Sequence, residues 1–348
     1  MNNYYEKAIS LLKDLIAIPS ISRNEEKTAD LISAFLQSEG VSVSRKFNNV
    51  WATHFTNPEN PLVLLNSHHD TVKPVSSWTL NPFEPLEKNG KLYGLGSNDA
   101  GASLVSLLMS FLYLSKQKNN KYNFIFLASA EEEISGKKGI ASVLDDLGKI
   151  DFAIVGEPTG MQAAVAEKGL MVLDCMAHGK AGHAARNEGI NAISIAINDI
   201  KKIEEYHFDK VSDFLGEVKT TVTQINAGTQ HNVIPEICDF VIDVRTNEHY
   251  SNKEVFEIID KILKSEVKAR SFRLNSSSID ENHEIVRRIK KLGIKTFGSP
   301  TLSDQALMNF PSLKIGPGQS GRSHTADEYI YLDEMKHGID IYIELLNC

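Results

Sequence analysis

Three cysteines in 348 residues, Cys175, Cys238 and Cys348, stand too far apart to build a disulfide framework or a thiolate metal site. A reducing cytoplasm is therefore the expected compartment. No run of about 18 apolar residues occurs, so no membrane-spanning helix is expected. The N-terminal stretch has no signal-peptide core either: Glu6, Lys7, Lys13 and Asp14 break up its apolar pattern and mark an amphipathic helix. Basic blocks are missing, and 37 Lys and Arg stand against 45 Asp and Glu for a net charge of −8. That argues against a nucleic-acid or anionic-membrane partner, since both need a basic face. There is no Gly-x-Ser-x-Gly nucleophile elbow. The His-Glu-x-x-His metalloprotease pattern is also absent, because His283-Glu284 runs on into Ile285, Val286 and Arg287. No internal repeat or low-complexity segment is seen.

What is present is an alternation of helices and short apolar strands. Ala8, Leu11, Leu12 and Leu15 line one face of a helix over 5–16, which Pro19 ends. A second helix begins after Asn24 and stops at Gly40. Buried strands are expected at 62–65, 124–128 and 152–155, with a mostly apolar helix at 102–114. This pattern predicts an α/β domain with helices on both faces of a central sheet. The middle third reads strand (170–177), helix (191–205), two strands (220–225 and 239–244), then a helix after Ser251, where Ser251 and Glu254 make a capping-box signature. It is expected to be a small α+β domain inserted into the larger one. The C-terminal part returns to α/β character, with a helix at 283–292, a strand at 312–315 and a last helix at 332–346.

Polar clusters follow the apolar strands, where open α/β sheets bind ligands. Asn66-Ser67-His68-His69-Asp70 follows the first. Glu131-Glu132-Glu133 follows the second, and Gly156-Glu157-Pro158-Thr159 the third. Asp99 lies in a glycine-rich loop between the first two, and Gly316-Pro317-Gly318 leads to Ser323-His324-Thr325. Each has an ordinary reading: a surface pair, a solvated helix start, a turn or a cap. Together they offer imidazole and carboxylate ligands suited to Zn²⁺, Co²⁺ or Mn²⁺, with more carboxylates than one metal needs. Gly316-Pro317-Gly318-Gln319-Ser320-Gly321 formally fits a dinucleotide fingerprint. Only 27 residues follow it, too few for the helix and strand that such a site requires. A tight backbone turn near the substrate is the better reading.

The ordered set His68-x-Asp70, Asp99, Glu132-Glu133, Gly156-Glu157-Pro158-Thr159, Gly179-Lys180-Ala181-Gly182-His183, Asn232-Val233-Ile234-Pro235 and His324-Thr325 resembles the zinc aminoacylase and carboxypeptidase metallopeptidase family. That family includes acetylornithine deacetylase, succinyl-diaminopimelate desuccinylase, a glutamate-releasing carboxypeptidase and acetyl-lysine deacetylase. The likeness covers nearly the whole chain, and the compact C-terminal segment looks most like the acetylornithine and acetyl-lysine deacetylases.

The resemblance implies a zinc-peptidase-like catalytic domain with a central mixed sheet (1–166 and 277–348). It also implies an inserted ferredoxin-like α+β lid and dimerisation domain (167–276). Two Zn²⁺ per subunit are implied, with Co²⁺ or Mn²⁺ as substitutes. His68 and Glu157 would hold one metal, Glu133 and His324 the other, and Asp99 would bridge them. Asp70 would orient His68 through its other ring nitrogen. Glu132 would be the general base, and His183 would help hold the oxyanion, reaching across a homodimer. Asn232 would face the substrate, and Arg245 would grip a substrate carboxylate. His69 is taken as an ordinary loop residue. Departures from the family pattern at Lys73, Leu95, Ala100 to Ala102 and Glu131 remove none of these ligands. The implied partner is a small N-acyl amino acid, most simply an N-acyl-ornithine or N-acyl-citrulline of arginine biosynthesis. Succinyl-diaminopimelate, acetyl-lysine and dipeptides are the alternatives. A non-catalytic amino-acid-binding dimer would be expected to lack the base or a ligand, and none is lacking.

Overall fold

The computed structural model describes residues 1–186 and 188–347; Cys348 lies outside the described residues. The chain divides into two compact units. One comprises Met1–Val165, Ile279–Phe297 and Ser303–Cys348, the other Ala166–Ser278 and Gly298–Leu302. The segment Gly298–Leu302, expected with the flanking C-terminal chain, groups instead with the second unit. There the Lys168 amide donates to the Ser299 carbonyl at 3.0 Å.

The first unit is built on a mixed sheet whose strands lie in the order Ser44–Lys46, Asn49–His54, Asn123–Ser129, Leu62–His68, Phe152–Val155, Ser312–Lys314 and Ala163–Glu167. The central four are mutually parallel, and Asn49–His54 is antiparallel to its neighbour. Both sheet faces are covered, so the central strands are buried along their whole length and read as continuous apolar runs. Leu62, Leu64, Ile125, Leu127 and Ala153 pack with Ile140, Val143 and Leu147. On the other face, Phe126 meets Phe111 of the helix Ala102–Leu114, with ring centroids 6.1 Å apart. That helix is apolar nearly all round because it also packs against Asn2–Ile16 and Leu332–Leu346. The strand beginning at Leu62 continues to His68, three residues beyond its apolar run, which carries the polar cluster to the strand's carboxyl end.

The second unit has strands Met171–His178, Lys219–Ala227, Ile237–Arg245 and Glu266–Ala269, with helices Ala192–Glu205 and Asn252–Ile262. All strand pairs are antiparallel. Met171–His178 lies between Ile237–Arg245 and Glu266–Ala269, and Lys219–Ala227 forms the far edge. This is the ferredoxin-like arrangement. Ser251 and Glu254 form the expected capping box. The fourth strand was not expected, since Glu266–Ala269 buries only Val267 and offers too little apolar pattern. Cys175 and Cys238 are buried free thiols in this core.

Candidate metal centre

The first unit gathers its polar clusters at the carboxyl ends of the parallel strands. His68 is the last residue of its strand and is buried; its Nε2 lies 3.4 Å from Asp99 Oδ1, 3.8 Å from Glu132 Oε2 and 3.9 Å from Glu157 Oε1. The other Asp99 oxygen, Oδ2, lies 3.6 Å from His324 Nε2, which is 3.0 Å from Glu133 Oε2. Asp99 thus stands between the two imidazoles with one oxygen towards each. Ligand atoms of His68, Asp99 and Glu133, and of His68, Glu132 and Glu157, fall in clusters within 4.8 Å.

Asp70 ties this cluster together. The His68 Nδ1 lies 3.0 Å from the Asp70 backbone carbonyl and 3.5 Å from its carboxylate. The backbone carbonyl is therefore the nearer partner of the ring nitrogen expected to meet the side chain. The Asp70 carboxylate accepts from the amides of Glu132 and Glu133 at 3.0 and 3.2 Å, and from Ser22 Oγ at 2.7 Å. One buried carboxylate therefore fixes the turn that presents two further acids. His69 lies in the loop just past the strand, as expected, but it is buried: its ring nitrogens face Thr28 Oγ1 at 2.8 Å and the Asn48 carbonyl at 2.9 Å. Burial pushes it down to about 4, and with both nitrogens occupied it offers no free ligand atom.

The Glu157 loop is held by close backbone packing. Ser67 Oγ donates to the Gly156 carbonyl at 2.8 Å, and the Gly316 amide donates to Thr159 Oγ1 at 3.0 Å. A Cβ at Gly316 would lie 2.3 Å from Ser103 Oγ and 2.5 Å from the Glu157 carbonyl oxygen. Glycine is required there by space rather than by phosphate chemistry.

The electrostatics ask for a cation. Burial, reinforced by the neighbouring acids, pushes Glu157 up to about 8 and Glu132 well above the carboxylate range, against the pull of His68. The hydrogen bond to Glu133 pushes His324 up to about 9. Burial and mutual repulsion disfavour the charged forms of Glu132 and Glu157, and a divalent ion would let them ionise together. The nitrogen and oxygen donor set suits such an ion, and the residues present fit a metal pair.

Sequence reasoning missed two buried acids here. Glu328 accepts from the amides of Gly96, Asn98 and Asp99; burial and Asp99 push it up to about 8. Asp304 accepts from Ser129 Oγ at 2.5 Å, and burial pushes it up to about 6. Neither directly follows one of the apolar strands legible in the sequence, which left both unmarked; Glu328 lies four residues after His324.

Three further expected residues lie in the second unit. His183 pairs with Val233, and the Ala184 amide donates to the Asn232 carbonyl at 3.0 Å, which brings His183 and Asn232 side by side. Arg245 grips Asp243 through Nε and Nη2 at 2.8 and 3.2 Å, so its fork already has a carboxylate within its own strand.

An α/β unit with two imidazoles and four carboxylates converging at its strand ends defines a metal-binding hydrolase. The chain belongs to peptidase family M20/M25/M40, whose family model matches residues 64–347. A peptidase M20 domain-containing protein of Schizosaccharomyces pombe is 27% identical over 351 residues, spanning 97% of this chain and 83% of that protein. Succinyl-diaminopimelate desuccinylase of Orientia tsutsugamushi is 25% identical over 371 residues, spanning 97% and 95%. Among solved structures, the Bacillus subtilis YXEP protein, described as a dinuclear metal-binding peptidase of the M20 family, superposes with a TM-score of 0.77. It is 18% identical and covers 99% of this chain and 98% of its own. No helix among the described residues is long and apolar enough to cross a membrane.

Proposed function

We propose that this chain hydrolyses the amide of a small N-acyl amino acid at a two-metal centre. The observation that carries this reading is the Asp99 carboxylate, with one oxygen 3.4 Å from His68 and the other 3.6 Å from His324. His68 and Glu157 would hold one metal and Glu133 and His324 the other, with Asp99 placed to serve both. Zinc suits these donors best, with cobalt or manganese as substitutes. When bound, the pair supplies Lewis acidity that acidifies water and polarises the acyl carbonyl. Glu132 takes the proton from water as it adds to the carbonyl carbon, then delivers it to the departing amine, giving a free carboxylate and a free amino acid. Asp70 keeps His68 and the Glu132 amide in place. His183 donates to the developing oxyanion, Asn232 contacts the substrate, and Arg245 exchanges Asp243 for a substrate carboxylate. The second unit serves as lid and homodimer contact. A reducing cytoplasm goes with this reading, and the buried free thiols Cys175 and Cys238 suit it.

For substrate, an N-acetyl- or N-succinyl-ornithine or -citrulline fits the resemblance of the C-terminal segment. The desuccinylase relatives favour a second reading, succinyl-diaminopimelate. Amine release from a panel of these compounds, N-acetyl-lysine and dipeptides, with zinc or cobalt, discriminates between the readings. Activity on one of them should be lost in Glu132→Gln and after chelation, and should return on adding metal. A metal-loaded protein inert on the whole panel, or an active Glu132→Gln variant, would overturn the reading.

A further inference from the structure

Glu328 has no part in the chemistry above, yet it is 2% exposed and its side chain points at the backbone of the loop that carries Asp99. Its Oε1 accepts from the amides of Asn98 at 2.8 Å and Asp99 at 2.9 Å, and its Oε2 from Gly96 at 3.1 Å. Its own main chain joins the same loop, for the Gly94 amide donates to the Glu328 carbonyl at 3.0 Å. The preceding residue, Asp327, accepts from the amides of Thr79 and Leu80 at 2.9 and 3.0 Å. The Asp99 loop is irregular: Asp99 itself has φ −119° and ψ 97°, so no helical ladder satisfies its amides. The Asn98 side chain ties the loop to the Gln319 backbone, but the amides of Gly96, Asn98 and Asp99 have Glu328 as their acceptor. Glu328 also follows His324 by four residues, so one side chain links the loop of the central acid to the segment of the second imidazole.

We infer that Glu328 is a positioning residue that holds the Asp99 loop and the His324 segment in register, so that both metals can be bound at once. The inference rests on the two-metal reading. Glutamine at this position keeps the shape but has one acceptor oxygen, so its NH2 group faces at least one amide that needs an acceptor, and the loop loses part of its anchorage. Carboxylates that orient ligands from behind typically contribute about 10- to 100-fold in metal affinity.

The test uses full-length wild type, Glu328→Gln and Glu132→Gln. Each is loaded with zinc and equilibrated against a graded zinc buffer, and bound metal is counted by elemental analysis. kcat and KM are then measured on whichever panel substrate is turned over. Wild type and Glu132→Gln should hold two zinc ions with similar affinity. Glu328→Gln should bind at least one of them about 10- to 100-fold more weakly, with a lower kcat and an unchanged KM at non-saturating zinc. A Glu328→Gln zinc curve that superimposes on wild type overturns the inference and leaves the two-metal reading standing. A wild type that never holds two ions fails the reading instead. If Glu328→Gln does not fold, hydrogen exchange in metal-free wild type decides: the amides of Gly96, Asn98 and Asp99 should be protected. Exchange at the rate of an open loop would overturn the inference.

Discussion

Replacing Asp70 by asparagine tests how the site is held together. The side chain is fully buried, and its two oxygens accept from Glu132 N, Glu133 N and Ser22 Oγ while facing His68. Asparagine has one acceptor oxygen, so its NH2 must face at least one backbone amide that is itself a donor. A buried donor left without a partner costs about 1–3 kcal/mol. That penalty falls on the turn presenting Glu132 and Glu133, so it should appear as lost catalysis as well as lost stability. At about 1.4 kcal/mol per tenfold, it corresponds to a fall in kcat of about 5- to 150-fold. KM should change little, since no substrate contact is removed. The assay is amine release under zinc saturation, paired with a zinc count. Asp70→Asn with full zinc and a kcat within about twofold of wild type would show that neither the charge nor the second acceptor matters, and the hub role would fall.

Two further substitutions probe the scaffold. Gly316→Ala would press a methyl group onto Ser103 Oγ and the Glu157 carbonyl at 2.3 and 2.5 Å. Overpacking of this kind costs about 1–3 kcal/mol, so a lower Tm with weaker zinc binding is expected, and a wild-type Tm would contradict the close approach. In the second unit, burial raises Asp199, but hydrogen bonds from Lys202 and Ser265 and the Lys264 amide outweigh it and hold Asp199 below the usual carboxylate range. Because the folded value lies below the unfolded one, the stabilisation is complete above about pH 4 and disappears as pH falls through the folded value. Asp199→Asn should therefore cost about 1.5–3 kcal/mol in denaturant unfolding at pH 7. The gap to wild type should narrow only below pH 4; a gap independent of pH would rule out the charge as its source.

Much of the first unit was legible because its strands are buried on both faces and so read as unbroken apolar runs. His68, Glu132 and Glu157 could be singled out because each follows such a run, where a sheet of parallel strands opens its binding crevice. Short exposed strands such as Ser44–Lys46 and Glu266–Ala269 were not legible, since pairing to a neighbour, not side-chain pattern, makes them strands.

By itself, the sequence determined the kinds and order of the candidate ligands, the apolar runs that bury the sheet, and the local caps, because these depend on residue type and short spacing. Only the tertiary structure decided what depends on distant parts of the chain meeting. It buried His69 with both nitrogens engaged, and turned the two oxygens of Asp99 towards imidazoles that lie 256 residues apart in the chain. It also buried Glu328 behind Asp99. A carboxylate in a polar stretch looks the same in sequence whether water or three backbone amides solvate it, and only packing chooses between them.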